Sequence, residues 1–299
     1  MANAFTAVNL SQLPPPVVVE QLDFETIFAE MLADLQSRDP VFTALVESDP
    51  AFKILEVAAY RELLIRQRAN ESAKAVMLAF ANDADLDQIG ANCNVSRLII
   101  TPGDPAAIPP TEDVMEGNED YRLRILLSFE GYTTAGPIGS YVYHAMSASG
   151  DVLDVGVDSL VPGRVNIAVL SRTGSGVPPQ ATLDAVIAAT NAEEVRPLCD
   201  TVEVSGADVV NYQIAATLDF FPGVGQQQAL DAATASAQAY AAEMYKLGMD
   251  ITLDGVYAAL RRPGVQKVNL SSPAADIPIQ WNQAPHCTAI NITAGVIRE

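Results

Sequence analysis

Residues 49–87 read DPAFKILEVAAYRELLIRQRANESAKAVMLAFANDADLD, and the reading of this stretch decides the fold. Between Pro50 and Ala81 there is no internal glycine or proline, the longest uninterrupted helical reading in the chain. Asp49 suits an N-cap and Pro50 suits the first helical position, where a missing N–H costs nothing. Ile54, Val57, Ala58, Leu64, Ile65, Ala69, Ala73, Val76, Met77 and Phe80 recur every three or four residues, the period of an amphipathic helix. At the usual rise per residue such a helix is about 45 Å long. Its apolar side needs a cover, from the rest of this chain or from another.

Working outward, residues 1–23 contain Pro14-Pro15-Pro16 and then Val17-Val18-Val19, an extended arm of polyproline character. The arm is either a frayed terminus or a strap along a neighbouring subunit. Residues 24–47 read as two short helices, the second opened by Asp39-Pro40 as the long one is by Asp49-Pro50. After the long helix, Ala84 to Cys93 is one more short helix. Residues 98–117 are rich in proline, glycine and acid and read as a loop or linker, and helix resumes at Asn118. Past Thr133 the period changes. Gly136-Pro137 opens a helix to about Ser147. Leu153, Val155 and Val157 then alternate with Asp154, Gly156 and Asp158, the period of a strand. Pro162-Gly163 is a hairpin turn to a strand Arg164–Leu170. A helix from Pro178-Pro179 to about Asn191 and a strand Thr201–Ser205 follow. The longest strand candidate is Val209–Phe221. A helix Gln226–Leu247 stopped by Gly248, a helix Leu253–Arg261, a strand Val265–Leu270 and a final strand near Ala289–Thr293 complete the chain. Helix, glycine and valine-rich strand recur around Gly150 and Gly264, as in two lobes built on one plan. The fold class is therefore α+β: an arm (1–23), a helical domain with one long helix (24–133), and two small α+β lobes with antiparallel strands (134–207 and 208–299).

The 299 residues carry 37 acidic and 17 basic side chains, a formal charge of −20. That balance argues against nucleic acid, whose phosphates need lysine and arginine, and against an anionic membrane surface. The acid serves solubility, or it forms a face for a basic partner. Cys93, Cys199 and Cys287 are odd in number and widely spaced, which points to a reducing compartment rather than a disulfide framework. No basic, apolar leader opens the sequence and no run of 18 apolar residues spans a bilayer, so neither a signal peptide nor a membrane helix is expected.

Chemistry-bearing patterns are sparse. His144 and His286 are the only histidines. His144 ends a helix, and His286-Cys287 are too close in sequence to ligate one ion together. There is no CxxC or HExxH pattern for zinc. Thr173-Gly174-Ser175-Gly176 lacks the lysine of a phosphate loop, and Gly136-Pro137-Ile138-Gly139-Ser140 lacks a preceding strand and a third glycine; both read as turns. Asp83, Asp85 and Asp87 alternate as calcium ligands do, without the glycine and glutamate that complete such a loop, and a helix-start or solvated role is the plainer reading. No catalytic residue, metal ligand or cofactor site is expected. What remains is Arg61, Arg66 and Arg68 on the long helix, suited to a partner contact or to local pairs such as Glu62–Arg66. Trp281, the only tryptophan, is either a lobe-closing anchor or an interface hot spot.

Several ordered blocks carry a family resemblance. Tyr60 to Asp87 resembles a block of the baseplate assembly protein J family of contractile-tailed phages. Arg122 and Arg124 in NEDYRLRI are similar to its acidic Arg-x-Arg helix. Thr134-Ala135-Gly136-Pro137, with Ser140-Tyr141 and His144-Ala145, resembles its turn and following helix. Asp151–Val155, Arg196–Val202 and Gly264–Val268 match later blocks, so the likeness spans Ser48 to Pro273. Cys199 and Asn82-Asp83 depart from the pattern, where a small polar residue and a glycine-containing turn are expected. The resemblance implies a structural baseplate wedge protein of a phage tail or a contractile bacteriocin (tailocin), without catalytic activity. It implies two copies per wedge, a tail protein I-type wedge partner, and contacts with neighbouring wedges and with hub or sheath-initiator proteins. It places the chain in the host bacterial cytoplasm during assembly and in the tail baseplate afterwards, coupling host contact to sheath contraction. A tail-associated glycan-binding or hydrolytic protein is the alternative. Under the family reading, the cover of the long helix comes partly from other chains.

Overall fold

The computed structural model describes residue 10 and residues 13–133, 136–223 and 225–297. Most of residues 1–12, and Thr134-Ala135 of the turn singled out above, lie outside the described residues. Contacts divide the chain into two compact units, one holding the described residues up to Ser96 and the other those from Arg97 onward.

The first unit is helical. It holds α1 (Phe24–Arg38), a single 3-10 turn (Pro40–Ala44), α2 (Pro50–Ala75) and α3 (Asp83–Asn92). Asp23 caps α1 by accepting from the Thr26 N–H at 2.9 Å, and Asp39 accepts from the Val41 N–H at 2.9 Å. The second Asp-Pro works differently. The Asp49 carboxylate turns back to the Val46 N–H at 2.9 Å and makes no side-chain cap on α2. Helix α2 also stops short of Ala81. At Val76 the chain leaves the helix, and the Phe80 and Ala81 N–H groups both donate to the Met77 carbonyl in a turn. No glycine or proline marks that stop, so only the folded chain reveals it. With 26 residues, α2 is about 39 Å long.

The second unit opens with a short antiparallel ribbon, β1 (Ile99–Thr101) and β2 (Val114–Met115), where a loop was expected, and continues into α4 (Asn118–Leu127). The first lobe then runs α5 (Ile138–Ser147), β3 (Val152–Val161), β4 (Arg164–Ser171), α6 (Gln180–Thr190) and β5 (Thr201–Gly206). Strands β3 and β4 form the expected hairpin, with Val161 opposite Arg164 and Gly163 at φ +78° in the turn, a conformation glycine adopts without a Cβ clash. Strand β5 joins β4 in parallel through the crossover helix α6. The core between this sheet and its helices holds Tyr141, Ala145, Met146, Val155, Val157, Ile167, Val169 and Val186.

The second lobe runs β6 (Asp208–Phe220), α7 (Gln226–Met244), α8 (Leu253–Leu260), β7 (Val265–Ser272) and β8 (Gln283–Ile297). The sheet order is β7-β6-β8, with β6/β7 antiparallel and β6/β8 parallel. Ala229, Ala233 and Ala237 are buried at every fourth position of α7, so that helix settles close on Ile214, Leu218 and Phe220. Strand β8 is far longer than the segment 289–293 marked by the sequence, because its first half, QAPHCT, lacks strand alternation and takes its conformation from pairing with β6.

Both lobes thus share one sheet layout, a central strand flanked by an antiparallel and a parallel neighbour. Their chain order differs. In the first lobe the helix–strand piece (α5–β3) precedes the strand–helix piece (β4–α6); in the second, β6–α7 precedes α8–β7. The recurrence around Gly150 and Gly264 is the trace of the α5–β3 and α8–β7 pieces.

Candidate assembly surfaces

Helix α2 rests on α1 through one narrow side. The Phe28 and Phe52 rings sit 4.8 Å apart, and Ala59 is the buried residue of α2. Asn70 clamps the backbone of Glu20 in both directions, its Oδ1 accepting from the Glu20 N–H at 3.0 Å and its Nδ2 donating to the Glu20 carbonyl at 2.8 Å. Arg66 adds ion pairs to Glu62 at 2.5 Å and Glu20 at 3.7 Å; the Glu62 hydrogen bond holds its guanidinium above the ordinary arginine range. Arg66 therefore belongs to the side that fastens the arm.

The apolar stripe read from the sequence lies elsewhere on the helix. Ile54, Val57 and Ile65 are 69%, 62% and 69% exposed, and Leu64 is also exposed. Arg61 and Arg68 fall on that same face, because 54, 57, 61, 64 and 68 follow alternating steps of three and four residues. Arg68 reaches Glu71 only at 4.0 Å, and Arg61 is exposed. The structure therefore separates the three arginines: Arg61 and Arg68 sit among uncovered aliphatic side chains, and Arg66 does not.

Trp281 lies at the seam between the two lobes. Gly156 of β3 has its Cα hydrogen aimed at the Trp281 backbone: a Cβ there would stand 2.5 Å from the Trp281 carbonyl oxygen and 3.4 Å from its ring. Beside it, Asp154 Oδ2 accepts the Leu247 N–H at 2.8 Å across the seam. Leu153, Leu170, Ala207, Tyr245, Leu247 and Ala284 fill the same boundary with apolar contact. This explains why α7 ends at Met244 rather than Leu247. Tyr245 leaves the helical conformation, and the Leu247 N–H is used by the other lobe. Burial pushes the Asp154 carboxyl above the usual carboxylate range, against the lowering effect of the N–H groups of Leu247 and Val155. Asp154 and Gly156 alternate with Val155 and Val157 along β3, and they meet the second lobe at the seam. A glycine inside a strand was the available signal for close backbone approach.

A second buried polar centre lies between β2 and α4. Glu116 and Arg124, each 3% exposed at the side chain, pair in a fork, with Arg124 Nε and Nη2 at 2.8 and 2.7 Å from the two carboxylate oxygens. The Leu98 N–H donates to the same carboxylate at 3.2 Å, Arg97 donates to the Glu116 carbonyl at 2.7 Å, and the Arg97 guanidinium lies 4.6 Å from the Tyr121 ring centre. Arg122 pairs with Glu119 at 3.0 Å. The Arg-x-Arg motif thus includes a structural pin whose acid, Glu116, precedes the helix and gave no sign in the sequence.

The remaining candidates stand apart. His144 is partly buried at the end of α5, and burial lowers its imidazole below the ordinary histidine range. His286 Nδ1 is 3.1 Å from Asn211 Oδ1 on the neighbouring strand. Asp83 and Asp85 occupy the first turn of α3, where negative charge favours a helix start. Among the described residues no group of three or more histidine, cysteine and acidic side chains is placed to hold a metal ion. No helix among them is long and apolar enough to cross a membrane.

The first unit presents a long helix with an uncovered aliphatic and basic face, and the second holds two lobes sealed to each other; these are features of a structural assembly protein. Comparison gives the class its family. Models for the Baseplate J-like N-terminal, central and C-terminal domains match residues 47–104, 133–206 and 212–293. Baseplate protein J of Escherichia phage P2 is 48% identical over 295 residues, covering 96% of this chain and 98% of that one. The chain belongs to the Baseplate J-like family and is a structural baseplate protein. A fainter likeness, to a chain of the anti-feeding prophage baseplate solved by cryo-EM with six-fold symmetrisation, has 9% identity and a TM-score of 0.32. It covers 89% of this chain and 53% of that one, and it adds no weight to the assignment.

Proposed function

We propose that this chain is a wedge component whose helix α2 bundles with a second copy and with a smaller tail protein I-type partner. The observation that carries the reading is the exposed face of α2, where Ile54, Val57, Leu64 and Ile65 surround Arg61 and Arg68. Aliphatic residues at heptad-like spacing bury well against other helices, and arginine on the same face supplies planar, multi-donor contacts to carboxylates. In this reading residues 24–133 work as the wedge core, and the lobes 134–207 and 208–299 meet neighbouring wedges and hub or sheath-initiator proteins. The arm is held at Glu20 on α2 of its own chain. The assembled ring passes host contact to the sheath of a phage or of a bacteriocin particle, after assembly in the host cytoplasm. Two aspects of the chain support this: its membership of the baseplate family, and a seam between the lobes that lets them act as one body.

The test is co-expression with the neighbouring small tail gene, followed by mass measurement of the purified complex. Two copies of this chain per partner are expected. The substitutions Val57→Glu and Ile65→Glu should abolish co-purification while changing the unfolding free energy by no more than about 0.5 kcal/mol, as is usual for exposed sites. A monomeric product that ignores the partner, or a complex indifferent to both substitutions, refutes the bundle.

A further inference from the structure

Among the described residues strand β8 forms an edge of the second sheet, with β6 as its strand partner. From Ala289 to Ala294 its register with Gln213–Leu218 is regular, with shifts only on either side. Native proteins guard such edges with lysine or another charge, proline or a bulge. Here the regular segment has none of these, and from Ile277 to Ile297 there is no Asp, Glu, Lys or Arg, and His286 is the one titratable base, in a chain of charge −20. Among the described residues this edge has no second strand beside it, and extended backbone of another chain fits it. It is also a stretch where a second, equally acidic copy meets no repulsion from the strand itself.

The sequence of the regular segment identifies that partner. Ala289 to Thr293, within it, reads AINIT. Folded back on itself about Asn291, Ile290 faces Ile292 and Ala289 faces Thr293. Ile290 and Ile292 pair with Ile214 and Ala216 and lie on the core side, where they are only partly buried. Asn291 and Thr293 lie on the other side and are exposed, with Thr293 Oγ1 3.1 Å from Thr217 Oγ1. We propose that β8 pairs antiparallel with β8 of a second copy about a two-fold axis at Asn291, joining two three-stranded sheets into one of six strands. The contact is isologous. It places isoleucine beside isoleucine over both cores, and on the open face Asn291 opposite Asn291 and Ala289 opposite Thr293. This inference deepens the proposed function by naming a lobe contact, and it involves none of the residues of the α2 bundle.

The test uses the full-length chain in the Ile65→Glu background, which disables the α2 face, with sedimentation at low ionic strength and circular dichroism as the folding control. The parent chain should dimerise. Asn291→Lys alone and Asn291→Asp alone place like charges opposite each other at the axis, and each should weaken the dimer by up to about fivefold. An equimolar mixture of the two restores opposite charges and should associate on the order of tenfold more tightly than either alone. A parent chain that stays monomeric, or a mixture no tighter than its components, overturns the inference. If dimerisation is instead lost with Ile65→Glu and the Asn291 variants have no effect in the unmodified α2 background, the bundle stands and the β8 contact falls. A dimer that persists unchanged in every variant overturns both.

Discussion

Replacing Arg124 with methionine should cost more than almost any other single change in the second unit. The fork from Arg124 to Glu116 is buried at both ends, at 3% side-chain exposure each, and its two bonds of 2.8 and 2.7 Å satisfy both carboxylate oxygens. Without the arginine, Glu116 keeps the Leu98 N–H but loses both bonds of the fork while its carboxylate stays enclosed. Removing one partner of a buried pair costs about 3–5 kcal/mol. Glu116→Gln retains an acceptor for the Leu98 N–H and should cost less than Arg124→Met, about 1–3 kcal/mol. The double variant Glu116→Met/Arg124→Met removes both charges and should be more stable than Arg124→Met alone, because the penalty resides in the orphaned carboxylate. Urea unfolding followed by circular dichroism measures all three. A loss of less than about 1 kcal/mol for Arg124→Met, or a double variant costing the sum of the two single changes, refutes the reasoning.

Two further outcomes concern the seam. Gly156→Ala puts a methyl group against the Trp281 carbonyl and should destabilise the chain by about 1–3 kcal/mol; because Trp281 is the only tryptophan, its emission should shift to the red as the lobes part. An unchanged spectrum and stability would show that the seam yields freely. Asp154 gives a pH dependence of defined sign. Its carboxyl is raised in the folded state by burial, so its stabilising contribution is complete below the unfolded value near pH 4 and is lost as pH rises through the folded value. Asp154→Asn keeps an acceptor for the Leu247 N–H and removes the charge. It should gain stability relative to the parent as pH rises from 4 to 8, as judged by urea midpoints; a constant difference across that range contradicts the assignment.

How much the sequence reveals depends on where the information is local. The hairpin β3–β4 was legible because alternation and Pro162-Gly163 sit side by side, and α1 because Asp23 and its apolar period adjoin. The apolar stripe of α2 was legible as a pattern, but its orientation was not. The residues that hold the helix in place, Phe52 and Ala59, are small in number and fall outside the recurring set. Parallel pairing escaped because it joins strands far apart in sequence, β4 to β5 through α6 and β6 to β8 over some seventy residues. The seam escaped for the same reason. Asp154, Gly156, Leu247 and Trp281 acquire their roles only when two lobes meet, and local alternation gives the strand without its neighbour. The family blocks carried the assignment that residue chemistry alone left open.

The exchanged order of pieces in the two lobes has a consequence for synthesis. The first sheet needs only β3, β4 and β5, so it can close once residue 206 has left the ribosome. The second cannot, because its central strand β6 waits through two helices and β7 for its parallel neighbour β8. During that interval one side of β6 has no strand to pair with, while chain continues to emerge. Distant pairings of this kind are slow to form. With its strands complete by residue 206, the first lobe can fold before the second and offer its outer face, with Asp154 and Gly156, as a surface for the later lobe to dock on.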